Sequence, residues 1–204
     1  MVRAIALIGS TVYVGGDFTQ VNTTTRNHLA ALNAATGALV AWNPNANGAV
    51  HCMLANGATL YVGGMFTTVN TPTVTRNYIA ELDATTGVPT SFDANGDGRV
   101  QTMVLDGSTL YVGGEFTNIG SQNRNRVAAL NAASGGATAW NPDANGGVFA
   151  IVPAAGGTYL CGEFTSLGVS TRNYIGAVNN TLGGVTSWNP DADAPVHGLA
   201  LDGT

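Results

Sequence analysis

Four loops of this chain carry oxygen-bearing side chains at alternate positions: Asn43, Asn45 and Asn47; Asp93, Asn95 and Asp97; Asn141, Asp143 and Asn145; and Asn189, Asp191 and Asp193. Alternating carboxylate and amide oxygens followed by glycine open a calcium-binding loop. The second copy, which runs into Gly98, fits best. It lacks the closing acid, because Gln101 and Val104 stand where a ninth- or twelfth-position ligand belongs. The competing reading is a turn in which Asn and Asp bond their own backbone. The turn is the leading reading and no cofactor is expected; calcium at Asp93, Asn95 and Asp97 is the one metal alternative.

Arg26, Arg76, Arg124 and Arg172 recur at equivalent places, each followed by Asn. They offer either a ring of carboxylate or sugar sites or a structural pairing with the acids Asp17, Glu115 and Glu163. Repetition favours the structural reading, with Met65 leaving Arg76 to find a backbone carbonyl. A third set varies where its surroundings repeat: Arg3, His51, Gln101, Phe149 and His197. Variation amid repetition is what a ligand-binding face at a channel mouth would show. It is also what an unconstrained surface position shows. Two histidines without a third ligand make a poor zinc site. No serine sits in a nucleophile elbow and the acids repeat, so no catalytic residue is expected.

These residues sit on a repeat. Phe18, Phe66, Phe116 and Phe164 follow near-identical segments (VYVGGDFT, LYVGGMFT, LYVGGEFT, YLCGEFT) at spacings of 48, 50 and 48 residues. The two extra residues fall in NTPTVT, a loop that tolerates length. Each period reads as four short strands separated by turn signals such as Asn56-Gly57 and Thr86-Gly87. The fourth strand ends at Trp42, Phe92, Trp140 or Trp188. No segment has helical period and length. The predicted fold is all-β: a β-propeller of four-stranded antiparallel blades, with four repeats (2–49, 50–99, 100–147, 148–195) and the first strand of a fifth (196–204). The double glycine lets neighbouring blades approach closely, and the aromatic fills the wider gap further out.

The Tyr-Val-Gly-Gly strand, the apolar strand with Thr-Gly, and Trp-Asn-Pro resemble the delta-60 type of bacterial β-propeller repeat, and also kelch blades. The resemblance covers essentially the whole chain. It implies secreted or cell-surface bacterial proteins, often with adhesion-type modules, and implies no shared reaction. The copper constellation of galactose-oxidase-like kelch enzymes has no counterpart here.

Composition narrows the partners. Charged residues make up only 9% of the chain, there is no lysine, and the net charge is −5. Nucleic acid and anionic membrane surfaces need clustered cations and are not expected. No apolar run is long enough for a transmembrane helix, so no membrane insertion is expected. MVRAIALIGS matches later repeats, so an export signal would lie outside this chain. The closing VHGLALDGT repeats the opening strand. That redundancy is consistent with a piece of a longer propeller, with closure as four blades, or with self-assembly into an oligomer or filament. The leading expectation is a non-enzymatic extracellular or cell-surface scaffold, adhesion or assembly module whose partner is a protein or a glycan. The alternatives are an enzyme, a lyase or oxidoreductase at the channel mouth, or a lectin with one glycan site per blade.

Overall fold

The computed structural model describes residues 1–70 and 72–202. Thr71 of the two-residue insertion, and Gly203 and Thr204 of the partial fifth repeat, lie outside the described residues. The described chain is all-β and repeats one antiparallel sheet four times. The first blade is built from Val2–Ile8, Thr11–Gly16 and Leu29–Asn33, paired in that order. Its successors are Val50–Asn56, Thr59–Gly64 and Ile79–Asp83; Val100–Asp106, Thr109–Gly114 and Val127–Asn131; and Val148–Ala154, Gly157–Gly162 and Ile175–Val178. β-branched and aromatic residues favour these strands, and glycine-containing turns join the first two.

The fourth strand is short, as the repeat pattern suggests, and amounts to a bridge rather than a full ladder. It touches the third through one bridge per blade: Leu32 with Leu39, Leu82 with Pro89, Leu130 with Ala137, and Val178 with Val185. Two main-chain bonds extend each contact, as from Val40 N–H to the Ala31 carbonyl at 2.8 Å. Between second and third strands each blade also carries a two-residue hairpin, such as Gln20–Val21 with Thr24–Thr25. The repeat pattern alone does not separate this hairpin from the flanking loop.

The chain forms two compact units, Met1–Asn95 and Gly96 onward, with two blades in each. Within the first, Tyr13, Leu29, Ala31 and Trp42 of one blade pack on Leu60, Val62, Ala80 and Leu82 of the next. Trp42 crosses Tyr13 edge-to-face at 5.0 Å, and its indole N–H donates to the Asp83 carbonyl at 3.1 Å. The Tyr13 hydroxyl donates to the Ala84 carbonyl at 2.7 Å. The second unit repeats the device: Trp140 crosses Tyr111 at 5.1 Å and donates to the Asn179 carbonyl at 2.9 Å. The aromatics are thus large buried surfaces with a polar tip that must find a partner.

The two glycines of the second strand have different duties. A methyl on Gly15 would sit 2.6 Å from Val50 Cγ1 of the following blade, and one on Gly113 would sit 3.0 Å from Val148 Cγ1. The second glycine instead faces its own blade. A methyl on Gly64 or Gly114 would strike the carbonyl of Ala49 or Arg99 at the start of the same blade's inner strand. Only the first glycine serves blade-to-blade approach, and Cys161 replaces it in the fourth copy, fully buried.

Candidate functional site

The site is built at an irregularity that recurs in every inner strand. Val2 pairs with Gly16 and Ala4 with Gly15, so Arg3 is an extra residue with no partner of its own in the ladder. The same shift skips His51, Gln101 and Phe149. A β-bulge re-aims its side chain and frees it from the alternation of the strand. The varying position of the inner strand that the sequence singled out, Arg3, His51, Gln101 and Phe149, is therefore the bulged one. No sequence signal marked it as a bulge beyond the double glycine opposite.

In the second unit this geometry gathers three of the five varying residues. Gln101, Phe149 and His197 line an open pocket of about 380 Å³. Phe149 and His197 stack face to face, with ring centroids 5.2 Å apart and planes 4° from parallel. His197 is held there by the closing segment, whose Val196 N–H donates to the Gly162 carbonyl at 3.2 Å. An amide, an imidazole and an aromatic face supply hydrogen bonding beside a stacking surface. In the first unit Arg3 pairs with Asp17, its Nε lying 2.9 Å from both carboxylate oxygens. That bond leads in lowering the Asp17 carboxyl below the usual carboxylate range, aided by charge from His51.

The acids after the double glycine thus belong beside the bulges. Asp17 meets Arg3, Glu115 meets Arg99, and Glu163 flanks Gly147 together with Phe149. This corrects the expected pairing of Arg26, Arg124 and Arg172 with Asp17, Glu115 and Glu163. Each repeated arginine instead donates to two main-chain carbonyls. Arg26 reaches Thr25 and Val40, Arg76 reaches Thr75 and Thr90, Arg124 reaches Asn123 and Thr138, and Arg172 reaches Thr171 and Thr186. The guanidinium fork ties the small hairpin to the fourth segment, whose carbonyls the single bridge leaves unpaired. Arg76 also lies 3.9 Å from Asp93.

The oxygen-rich loops are latches between main-chain segments. Asn27, Asn77, Asn125 and Asn173 donate at 2.7–2.8 Å to Asn45, Asn95, Asp143 and Asp191. All four acceptors have positive φ, between 44° and 56°, a region Asn and Asp tolerate. The third oxygen residue reaches the hairpin of the following blade. Asn47 accepts from Thr67 N–H and Thr68 N–H, and Asn145 from Thr165 N–H and Ser166 N–H. Asp97 accepts four bonds, from the main-chain and side-chain donors of Thr117 and Asn118. Burial alone would raise its carboxyl; those donors outweigh burial and hold it far below the usual range. In the calcium reading Asp93, Asn95 and Asp97 were ligands, but each already has a protein partner. Among the described residues no group of three or more His, Cys, Asp or Glu is placed to hold a metal.

Sheets that repeat, pack through an aromatic and carry bulged inner strands define a β-propeller repeat protein. Residues 11–39 and 106–135 match the family described as "Domain of unknown function (DUF5122) beta-propeller". Both matches span the second and third strands of a period, and they support the resemblance to the delta-60 type of repeat. No curated protein matches the sequence. Among solved structures, the computationally designed Ika4 protein is similar, with a TM-score of 0.56, 12% identity, and 79% of this chain and 84% of that one covered. The designed Ika8 protein gives 0.53, 13%, 99% and 65%. A chain of the mitotic checkpoint complex gives 0.51, 15%, 96% and 66%. At these identities the likeness is one of fold.

Proposed function

We propose that this protein is a non-enzymatic, extracellular or cell-surface scaffold that binds a glycan or protein partner through the bulged residues of its inner strands. The observation that carries the reading is the pocket of Gln101, Phe149 and His197. The framework around it is repeated four times, while the three residues that line it differ from one another, and the equivalent position carries Arg3 and His51 in the first unit. A rigid frame with interchangeable contact residues suits recognition, because ordering costs are met before the ligand arrives. The parallel Phe149–His197 stack offers an aromatic platform, and Gln101 offers a donor and an acceptor.

The test is binding of labelled protein to a glycan array and to a panel of immobilised proteins, repeated with Phe149→Ala and Gln101→Ala. The expected result is a loss of at least about tenfold in affinity, the scale of a single lost contact of about 1.4 kcal/mol, with unchanged melting. Ligands held equally well by both variants would remove the pocket from the account.

A further inference from the structure

One residue in each repeat keeps a costly backbone conformation for a large side chain. His28, Tyr78, Arg126 and Tyr174 all have φ between 64° and 66°. Both main-chain groups are pinned there. Each N–H donates to the carbonyl of the landmark phenylalanine, and each carbonyl accepts from the second-strand residue Gly16, Gly64, Gly114 or Gly162, all at 2.8–3.0 Å. The left-handed region is cheap for Gly, tolerable for Asn and Asp, and costly for bulkier side chains. This chain uses the tolerant residues in the loop latch, at Asn45, Asn95, Asp143 and Asp191. At residue 28 and its equivalents it holds an imidazole, two phenols and a guanidinium, planar groups with a polar tip. His28 Nδ1 lies 3.0 Å from the Gly16 carbonyl, and Arg126 Nη1 lies 3.1 Å from those of Glu115 and Phe116. Tyr78 and Tyr174 make no such bond among the described residues, so capping of carbonyls does not account for the set. Strain kept in every copy for a side chain that varies points to a use for that side chain.

In the second unit this position opens onto a cavity. Arg126 lines a pocket of about 320 Å³ with Asn125, Asp143, Asn145, Ser166 and Gly168. The pocket lies on the seam where the loop leaving the third blade meets the small hairpin of the fourth. Main-chain contacts hold that seam. Ala144 bridges Leu167, the Gly168 N–H donates to the Asp143 carbonyl at 2.9 Å, and the Asn145 N–H donates to the Ser166 carbonyl at 3.2 Å. Asp143 Oδ1 accepts from Asn125 at 2.7 Å. Among the described residues, Asp143 Oδ2 and Arg126 Nη2 have no bond, and no ion pair joins the two side chains. A carboxylate and a guanidinium thus line one preorganised cavity while lying beyond salt-bridge distance of each other. We propose that this seam pocket binds a neutral saccharide through one hexopyranose unit. Asp143 accepts from its hydroxyls, and Arg126 donates to a hydroxyl or ring oxygen. Opposite charges in one cavity suit a ligand that offers donors and acceptors together and carries no net charge. An acidic sugar would bring its carboxylate against Asp143. The pocket shares no residue with that of Gln101, Phe149 and His197, and it stands or falls separately from it.

The experiment is an amide-resolved NMR titration of the wild type, Arg126→Asn, Asp143→Asn and Phe149→Ala. The probes are the methyl glycosides of glucose, galactose, mannose and N-acetylglucosamine, and that of glucuronic acid. At least one neutral glycoside should shift the amides of residues 125–126, 143–146 and 166–168 saturably, and the glucuronide should bind at least about tenfold more weakly. Arg126→Asn relieves the left-handed strain in exchange for two side-chain bonds. It should melt near the wild type yet lose at least about tenfold in affinity. Asp143→Asn keeps the latch, because Asn45 and Asn95 accept the same bond in their own loops, and it should lose as much. Phe149→Ala should bind these glycosides like the wild type, which separates this site from the bulge pocket. The proposal is overturned by the absence of saturable shifts at the seam with every neutral glycoside, by tighter binding of the glucuronide, or by wild-type affinity in Asp143→Asn. That last variant decides should Arg126→Asn fail to fold.

Discussion

Arg124 places its guanidinium 2.8 Å from the Asn123 carbonyl and 2.6 Å from the Thr138 carbonyl. Removing it leaves both acceptors without a charged donor, at about 1.5–3 kcal/mol for such a bond. Arg124→Ala should therefore lower the free energy of chemical unfolding by roughly 2–3 kcal/mol, and Arg124→Lys should recover only part, since an ammonium cannot span both carbonyls. Asp97 makes a pH-dependent contribution. Its carboxyl is depressed in the folded state, so the stability it confers is present above the ordinary carboxylate range and lost as pH falls toward the folded value. Asp97→Ala should cost roughly 1–2 kcal/mol at neutral pH and much less in strong acid, measured by urea unfolding at both. Asp97→Asn should be milder, because Asn47 and Asn145 serve the same latch. The repeated arginines were legible as structural candidates from their recurrence. A main-chain carbonyl acceptor was legible only for Arg76, where Met65 leaves no acid. For the other three the acids Asp17, Glu115 and Glu163 drew the pairing to themselves, because a carbonyl leaves no mark in sequence.

At the scale of the strand, the two glycines predict unequal costs. A methyl on Gly113 meets Thr102 Cγ2 at 2.8 Å and, at 3.0 Å, both Val148 Cγ1 and the Val148 carbonyl oxygen, so only a side-chain methyl is met at under 3.0 Å. A methyl on Gly114 meets the Arg99 carbonyl, which is fixed by the Glu115 N–H bond across the bulge. Gly113→Ala should cost about 1–3 kcal/mol, the range of overpacking. Gly114→Ala should cost more and should broaden the amide spectrum of residues 99–102, read by NMR. The inner, second and third strands were legible from β-branched runs between Asn-Gly and Asp-Gly turns. The fourth strand was legible as a short run ending at the aromatic, and it is reduced to one bridge with two main-chain bonds. The bulge stayed hidden because register is a property of two strands together. Yet it explains why Arg3, His51, Gln101 and Phe149 escape the constraint that fixes their neighbours.

At the scale of the molecule, repetition itself carried the fold: each sheet has an apolar face that only a copy of itself can cover. What repetition could not show was which faces lie open, since Trp188 and Trp140 look alike in sequence and differ only in whether another blade covers them. The buried thiol of Cys161 reports on the same packing. Burial pushes it up to about 11, against a smaller pull from the Ala150 backbone. It should resist thiol reagents at neutral pH until the blade opens, so its labelling rate should track unfolding. The central claim is that stability resides where one blade's aromatic seats on the next. The direct measurement is chemical unfolding of Trp140→Ala and Trp188→Ala under identical conditions. Trp140→Ala should cost about 3–5 kcal/mol and Trp188→Ala less than half of that. Equal losses would place the stability inside the blades and contradict the account.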